Sequence, residues 1–176
     1  MIDLDLCALL DSREHFYRVE MQLRNSLEKV PDLMQLALYS KHRNSWRALY
    51  LADKLHDTHP GLIRPYLEKM IEQLKVEEHH AKRRILLKLI GANEVPRQYF
   101  GFLVNHCMDT FTAAKEPAAN RVHALQILYN ISDVEPELKP ELAEVIQHEM
   151  EYHSTPAIRA RGRNLLKKLR RQLGRR

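Results

Sequence analysis

Residues 45–74 read SWRALYLADKLHDTHPGLIRPYLEKMIEQL, and the fold turns on them. One helix starts near Ser45 and runs out at His56-Asp57. A second opens at Pro60, a residue suited to a first helical turn because its missing amide hydrogen had no intrahelical acceptor there. Apolar residues recur at helical spacing through both segments. The pair therefore reads as an antiparallel helical hairpin.

The unit returns along the chain. First-type helices are expected at residues 45–55, 80–90 (HAKRRILLKLI), 119–131 (ANRVHALQILYNI) and 157–169 (AIRARGRNLLKKL). Second-type helices are expected at residues 59–74, 95–111 and 135–150. Their openings at Pro60, Pro96 and Pro136 lie 36 and 40 residues apart. Leu62, Tyr66, Met70 and Leu74 follow the first proline, and Leu138, Leu142, Ile146 and Met150 follow the third at identical offsets. The middle unit fits after a shift of one, through Tyr99, Leu103, Cys107 and Phe111. Each set is one apolar stripe down a helix. Upstream, Asp11 or Ser12 can cap a helix reaching about Lys29, with Phe16, Leu23 and Leu27 on its apolar side, and Pro31 opens a shorter one. A single hairpin cannot hide both of its faces, so such units come in stacked series.

Short connections, proline opening one helix and a small residue (Ala48, Ala124, Gly162) inside its partner make the chain resemble the HEAT and armadillo-like α-solenoid proteins from roughly Pro31 to Leu173. It is also similar to small bacterial HEAT-like proteins. The resemblance implies an all-α, right-handed superhelix of about nine helices, with first-type helices on the concave side and arginines bridging neighbouring repeats. As domains, residues 1–176 read as one repeat domain. Residues 1–30 are its N-terminal cap, 31–155 the stacked hairpins, and 156–176 a basic capping helix and tail.

Composition agrees with a folded helical protein: 44% hydrophobic residues, 29% charged, and 5 glycines in 176 residues. The opening MIDLDLCALL has no basic start and is broken by Asp3 and Asp5, so no signal peptide is expected. Nor does any apolar run approach the ~20 residues of a membrane span. Cys7 and Cys107 stand far apart, without metal or redox spacing, and read as buried thiols in a cytoplasmic protein. The net charge of +5 is unevenly placed. Residues 152–176 hold nine Lys and Arg and no acid, which leaves 19 bases against 23 acids, a net of −4, in the first 151.

Function is read from how charge divides between helix types. First-type helices carry Lys82, Arg83, Arg84 and Lys88, then Arg121, then the run from Arg159 to Arg171. The second-type helix after Pro136 is acidic. If the first type lines the inner curve, that curve is basic, and the binding residues expected there are Trp46, Arg47, Tyr50, Lys82, Arg83, His123 and Arg163. The function expected is a non-catalytic scaffold taking a protein or peptide partner, with no membrane and no small-molecule substrate. The alternative is nucleic-acid or other polyanion binding through the basic helices and the tail RRQLGRR. Against both stands a purely structural reading, in which Arg47, Arg121 and Arg159 bridge repeats and helix-end charges answer the helix dipole.

Enzymatic readings find less support. Trp46, Tyr50 and Asp53 share one helical face, and one family of HEAT-like DNA glycosylases lines its cleft with tryptophan, aspartate and arginine. That chemistry needs a constellation, and this chain has a single tryptophan. Asp53/His56 and Glu77/His80 have carboxylate-x-x-His spacing, but further inward carboxylates are not evident, so no metal and no cofactor is expected. Glycine-rich phosphate loops and nucleophile elbows are absent from the sequence.

Overall fold

A computed structural model describes residues 6–174. Among them nine helices have eight or more residues. These are α1 (Arg13–Arg24), α2 (Val30–Tyr39), α3 (Trp46–Thr58), α4 (Leu67–Leu74), α5 (His80–Gly91), α6 (Phe100–Thr112), α7 (Ala118–Val134), α8 (Lys139–Tyr152) and α9 (Pro156–Leu173). Short helical turns at Ala8–Asp11 and Pro60–Ile63 complete the pattern, and the described residues contain no strand. The fold is all-α, as the repeated stripe implies.

The local causes are legible. Ser12 caps α1, its Oγ accepting from the His15 amide at 3.3 Å, and Thr155 Oγ1 does the same for the Ile158 amide at 3.3 Å to open α9. Pro31, Pro140 and Pro156 fall in the first turns of α2, α8 and α9.

Two sequence boundaries are corrected. Residues 59–74 do not form one helix: a 3₁₀ turn at Arg64–Tyr66 separates Pro60–Ile63 from α4. Pro65 lacks the amide that would donate to Gly61, and its ring crowds that carbonyl. Similar 3₁₀ turns, Arg97–Tyr99 and Pro136–Leu138, precede α6 and α8. Helix α1 stops at Arg24, short of Lys29, where the Asn25 amide closes it onto the Gln22 and Leu23 carbonyls.

The chain divides into two compact units, Met1–Leu89 and Ile90–Arg176. In the first, α2 packs on α3 and α4, and the Ala8–Asp11 turn packs on α1 and α3. Leu23, Leu33, Met34, Leu49, Met70 and Ile71 are fully buried there. In the second, α6 pairs with α7 and α8 with α9, while α8 and α9 also contact α7. Its core holds Leu103, Phe111, Leu125, Ile146, Ile158 and Leu169. The second-type stripe is real but graded. Met70, Leu74, Leu103, Phe111, Leu142 and Ile146 are buried, whereas Leu62, Tyr66, Tyr99 and Leu138, nearer the helix starts, are half-buried.

The small residues set close helix approaches. Ala48 and Ala124 are fully buried. At Gly162 a Cβ would stand 2.7 Å from Met150 Sδ and 3.3 Å from Ile146 Cγ2, so α9 comes against α8 only because that side chain is missing. The cysteines differ from expectation in one case. Cys107 is buried, which raises its thiol well above the ordinary range, but Cys7 is exposed; its position before the Ala8–Asp11 turn leaves it outside the packed core.

Candidate interaction surfaces

Three of the residues singled out in sequence come together on the first two turns of α3. The Trp46 and Tyr50 rings lie 6.5 Å apart, one helical turn from each other, and the Arg47 guanidinium carbon sits 5.8 Å from the indole centroid. Helix α1 extends this set. Phe16 stacks on Tyr50 at 5.6 Å, and Tyr17 meets Phe16 edge-on at 5.8 Å. Lys54, one turn beyond Tyr50, places its ammonium 5.5 Å from the Phe16 ring and 5.6 Å from the Tyr50 ring.

Phe16 is buried beneath, while Tyr17, Met21 and Tyr50 are 66%, 70% and 37% exposed. Tyr17 and Met21 are four residues apart on α1 and so share a face. Sequence reading missed this α1 contribution. The signal was available in the Tyr17–Met21 spacing, which lies off the buried Phe16–Leu23 side.

Glu20 holds the patch's cation in place, reaching Lys54 at 3.1 Å and Arg24 at 3.0 Å. Burial alone would raise the Glu20 carboxyl; the hydrogen bonds and charges of Arg24 and Lys54 outweigh it and hold the group below its ordinary value.

Other sequence-chosen cations are taken up by the fold. Lys82 is 4% exposed. Its ammonium lies 3.4 Å from the Leu38 and Ser40 carbonyls and 3.3 Å from Glu77, so it satisfies the C-terminal end of α2. It lines a cavity of about 630 Å³ with residues that include Ser40, His42, Gln73 and Glu77. Burial would raise the Glu77 carboxyl as well, but the His79 amide, the Lys82 charge and the Gln73 side chain bring it below its ordinary value. Arg47 similarly donates from Nη1 to the Leu9 carbonyl at 3.2 Å. Arg121, 1% exposed, donates to the Phe111 and His153 carbonyls at 2.7 and 2.9 Å and to Glu149 at 2.7 Å. A cation near the start of a first-type helix thus secures the carbonyl ends of its neighbours three times. Arg159 is different: it is exposed, and its guanidinium donates to nearby Ser154 at 2.8 Å.

Arg83 and His123 are half-buried, and Arg163 is exposed beside Met150 and Leu166. Around it on α9, Arg159, Lys167, Lys168, Arg170 and Arg171 are exposed too, with no acid anywhere in the helix. Arg175 and Arg176, the end of the basic tail, lie outside the described residues.

The glycosylase-like face is not assembled. Asp53 is 5% exposed and bonded to Lys88 at 2.7 Å. The spacing pairs Asp53/His56 and Glu77/His80 likewise have their carboxylates engaged by lysines. No helix among the described residues is long and apolar enough to cross a membrane.

No curated protein and no solved structure matches this chain. A family model described as a HEAT repeat domain matches residues 11–169. HEAT repeats generally serve as protein-interaction scaffolds and are typically non-catalytic. The match spans every helix from α1 through most of α9, in agreement with the proline-opened hairpins and the small residues where helices meet, and the chain belongs to the HEAT repeat domain family.

Proposed function

We propose that this protein is a non-catalytic cytoplasmic scaffold that binds a protein or peptide partner through its first-type helices, anchored on the Trp46–Tyr50 face of α3. The observation that carries this reading is the continuous aromatic set formed by Phe16, Tyr17, Trp46 and Tyr50 with Lys54 above it. Partly exposed aromatics on a rigid helical base lose little side-chain freedom on docking and carry much of the energy at interfaces. Glu20 and the α1–α3 packing hold this set in one arrangement, which lowers the cost of association.

The test is affinity capture with wild-type protein and with a Tyr17→Ala/Tyr50→Ala double variant. The reading expects a stoichiometric protein recovered by the first and lost by the second. Equal recovery by both would remove α3 as the anchor.

Polyanion binding is the second reading, carried by the exposed cations of α9. A helix with that charge follows a phosphate backbone by releasing counterions. Fluorescence anisotropy with labelled nucleic acid at several salt concentrations tests it; binding that is absent at low salt, or indifferent to salt, disposes of it.

A further inference from the structure

We infer that the C-terminal end of α8 is a site for a divalent transition-metal ion of the zinc class, held by His148, Glu149 and His153. The donor atoms of these three residues all lie within 4.8 Å of one another. His148 Nδ1 is 3.1 Å from Glu149 Oε1, and His153 Nδ1 is 3.3 Å from the same oxygen and 3.2 Å from Oε2. Nitrogen and oxygen ligands at about 2.0–2.1 Å from a tetrahedral ion stand about 3.3 Å from each other. The two imidazoles therefore approach one carboxylate at the spacing a shared metal imposes.

The carboxylate is fixed before any ion arrives. Glu149 is 2% exposed, and its Oε2 accepts from Arg121 Nη2 at 2.7 Å, which leaves Oε1 directed at His148. The same guanidinium donates from Nη1 to the His153 carbonyl at 2.9 Å, so one buried arginine positions the acidic ligand and the backbone of the second histidine. That is the second-sphere support that metal ligands need.

Both imidazoles are exposed, leaving an open side where water completes a His₂Glu set. The helix end contributes its negative dipole end as well. Arg121 offsets the charge of Glu149, so the imidazoles carry most of the ligation, and the affinity is that of a moderate site rather than of a thiolate-built one.

The rival account is two imidazole N–H groups donating to a carboxylate, with no ion. The test is Zn²⁺ titration of the metal-free full chain by calorimetry near neutral pH, repeated with Co²⁺ to read coordination from its absorption. Expected are one ion per chain, a tetrahedral Co²⁺ spectrum, and weakening by about tenfold or more in His148→Gln and in His153→Gln. His153→Gln keeps the carbonyl that Arg121 uses, and circular dichroism verifies that both variants fold. A His79→Gln/His80→Gln variant controls for adventitious histidine binding and is expected to bind as the wild type does. No uptake, uptake undiminished in both ligand variants, or uptake lost only in the control would overturn the site.

Discussion

Arg121 Nη2 donates to Glu149 Oε2 at 2.7 Å, with both side chains almost wholly removed from solvent at 2% and 3% exposure. This pair joins the start of α7 to the last turn of α8, and the other two arms of the guanidinium hold the carbonyl ends of α6 and α8. A buried ion pair is costly to form, but removing one partner strands the other charge. Arg121→Met is therefore expected to lower stability by about 3–5 kcal/mol in urea denaturation. Adding Glu149→Leu should recover part of that loss, because no charge is then stranded. A double variant as unstable as the sum of the singles would contradict this account.

Gly162 sets how closely α9 meets α8. Gly162→Ala gains about 1 kcal/mol of helix propensity, against an overpacking cost of about 1–3 kcal/mol, since the new methyl meets Met150 and Ile146. The expected result is a net loss on the order of 1 kcal/mol. In a Met150→Ala background the same substitution should become stabilising. Thermal melts of the four proteins decide it.

Glu77 links acid stability to the Lys82 network. Its folded pKa lies below its ordinary value of 4.5, so the unfolded chain binds the proton more readily. Its contribution is complete above pH 4.5 and is lost as pH falls through the lowered folded value. Glu77→Gln should flatten the wild-type loss of stability below pH 4.5 and lower the plateau above it. Parallel acid limbs in the two proteins would exclude Glu77 as their source.

Tyr17 stands mostly in solvent. Tyr17→Ala should change stability by no more than about 0.5 kcal/mol, yet weaken partner binding by more than about 1 kcal/mol where it acts as an interface anchor. Chemical denaturation and a binding isotherm separate the two effects.

Exposed charge on α9 predicts a salt signature. If a nucleic acid binds there, Arg163→Gln/Lys167→Gln/Arg170→Gln should reduce the slope of log affinity against log salt by about 0.9 for each duplex phosphate that is no longer neutralised. A slope that stays constant would place those three side chains away from the phosphates.

Helix identities were legible because they rest on short-range rules: the proline at a helix opening, the Ser12 and Thr155 caps, and an apolar residue every turn. Boundaries were less so. The apolar stripe over residues 59–74 implies one helix, although the missing amide of Pro65 decides a break. Among candidate site residues, Trp46 and Tyr50 share a face through their four-residue spacing, and Arg47 reaches Tyr50's side at three. Lys82 shows the opposite case. Its sequence neighbours suggest a solvated basic run, yet its ammonium turns inward to the carbonyls of Leu38 and Ser40.

What the amino-acid order determined by itself was the repeating helical hairpin, since it follows from periodicity along one chain; the family rests on the match over residues 11–169. Tertiary packing alone decided which charges stay in water. Lys82 and Arg121 are buried because unsatisfied helix-end carbonyls from distant segments require donors, whereas Arg159, Arg163, Lys167, Lys168, Arg170 and Arg171 of α9 stay exposed. It also brought α1 beside α3 to complete the aromatic face, and Arg121 of α7 against Glu149 at the end of α8. Those juxtapositions depend on how helices dock and how side chains turn, which a one-dimensional pattern does not encode residue by residue.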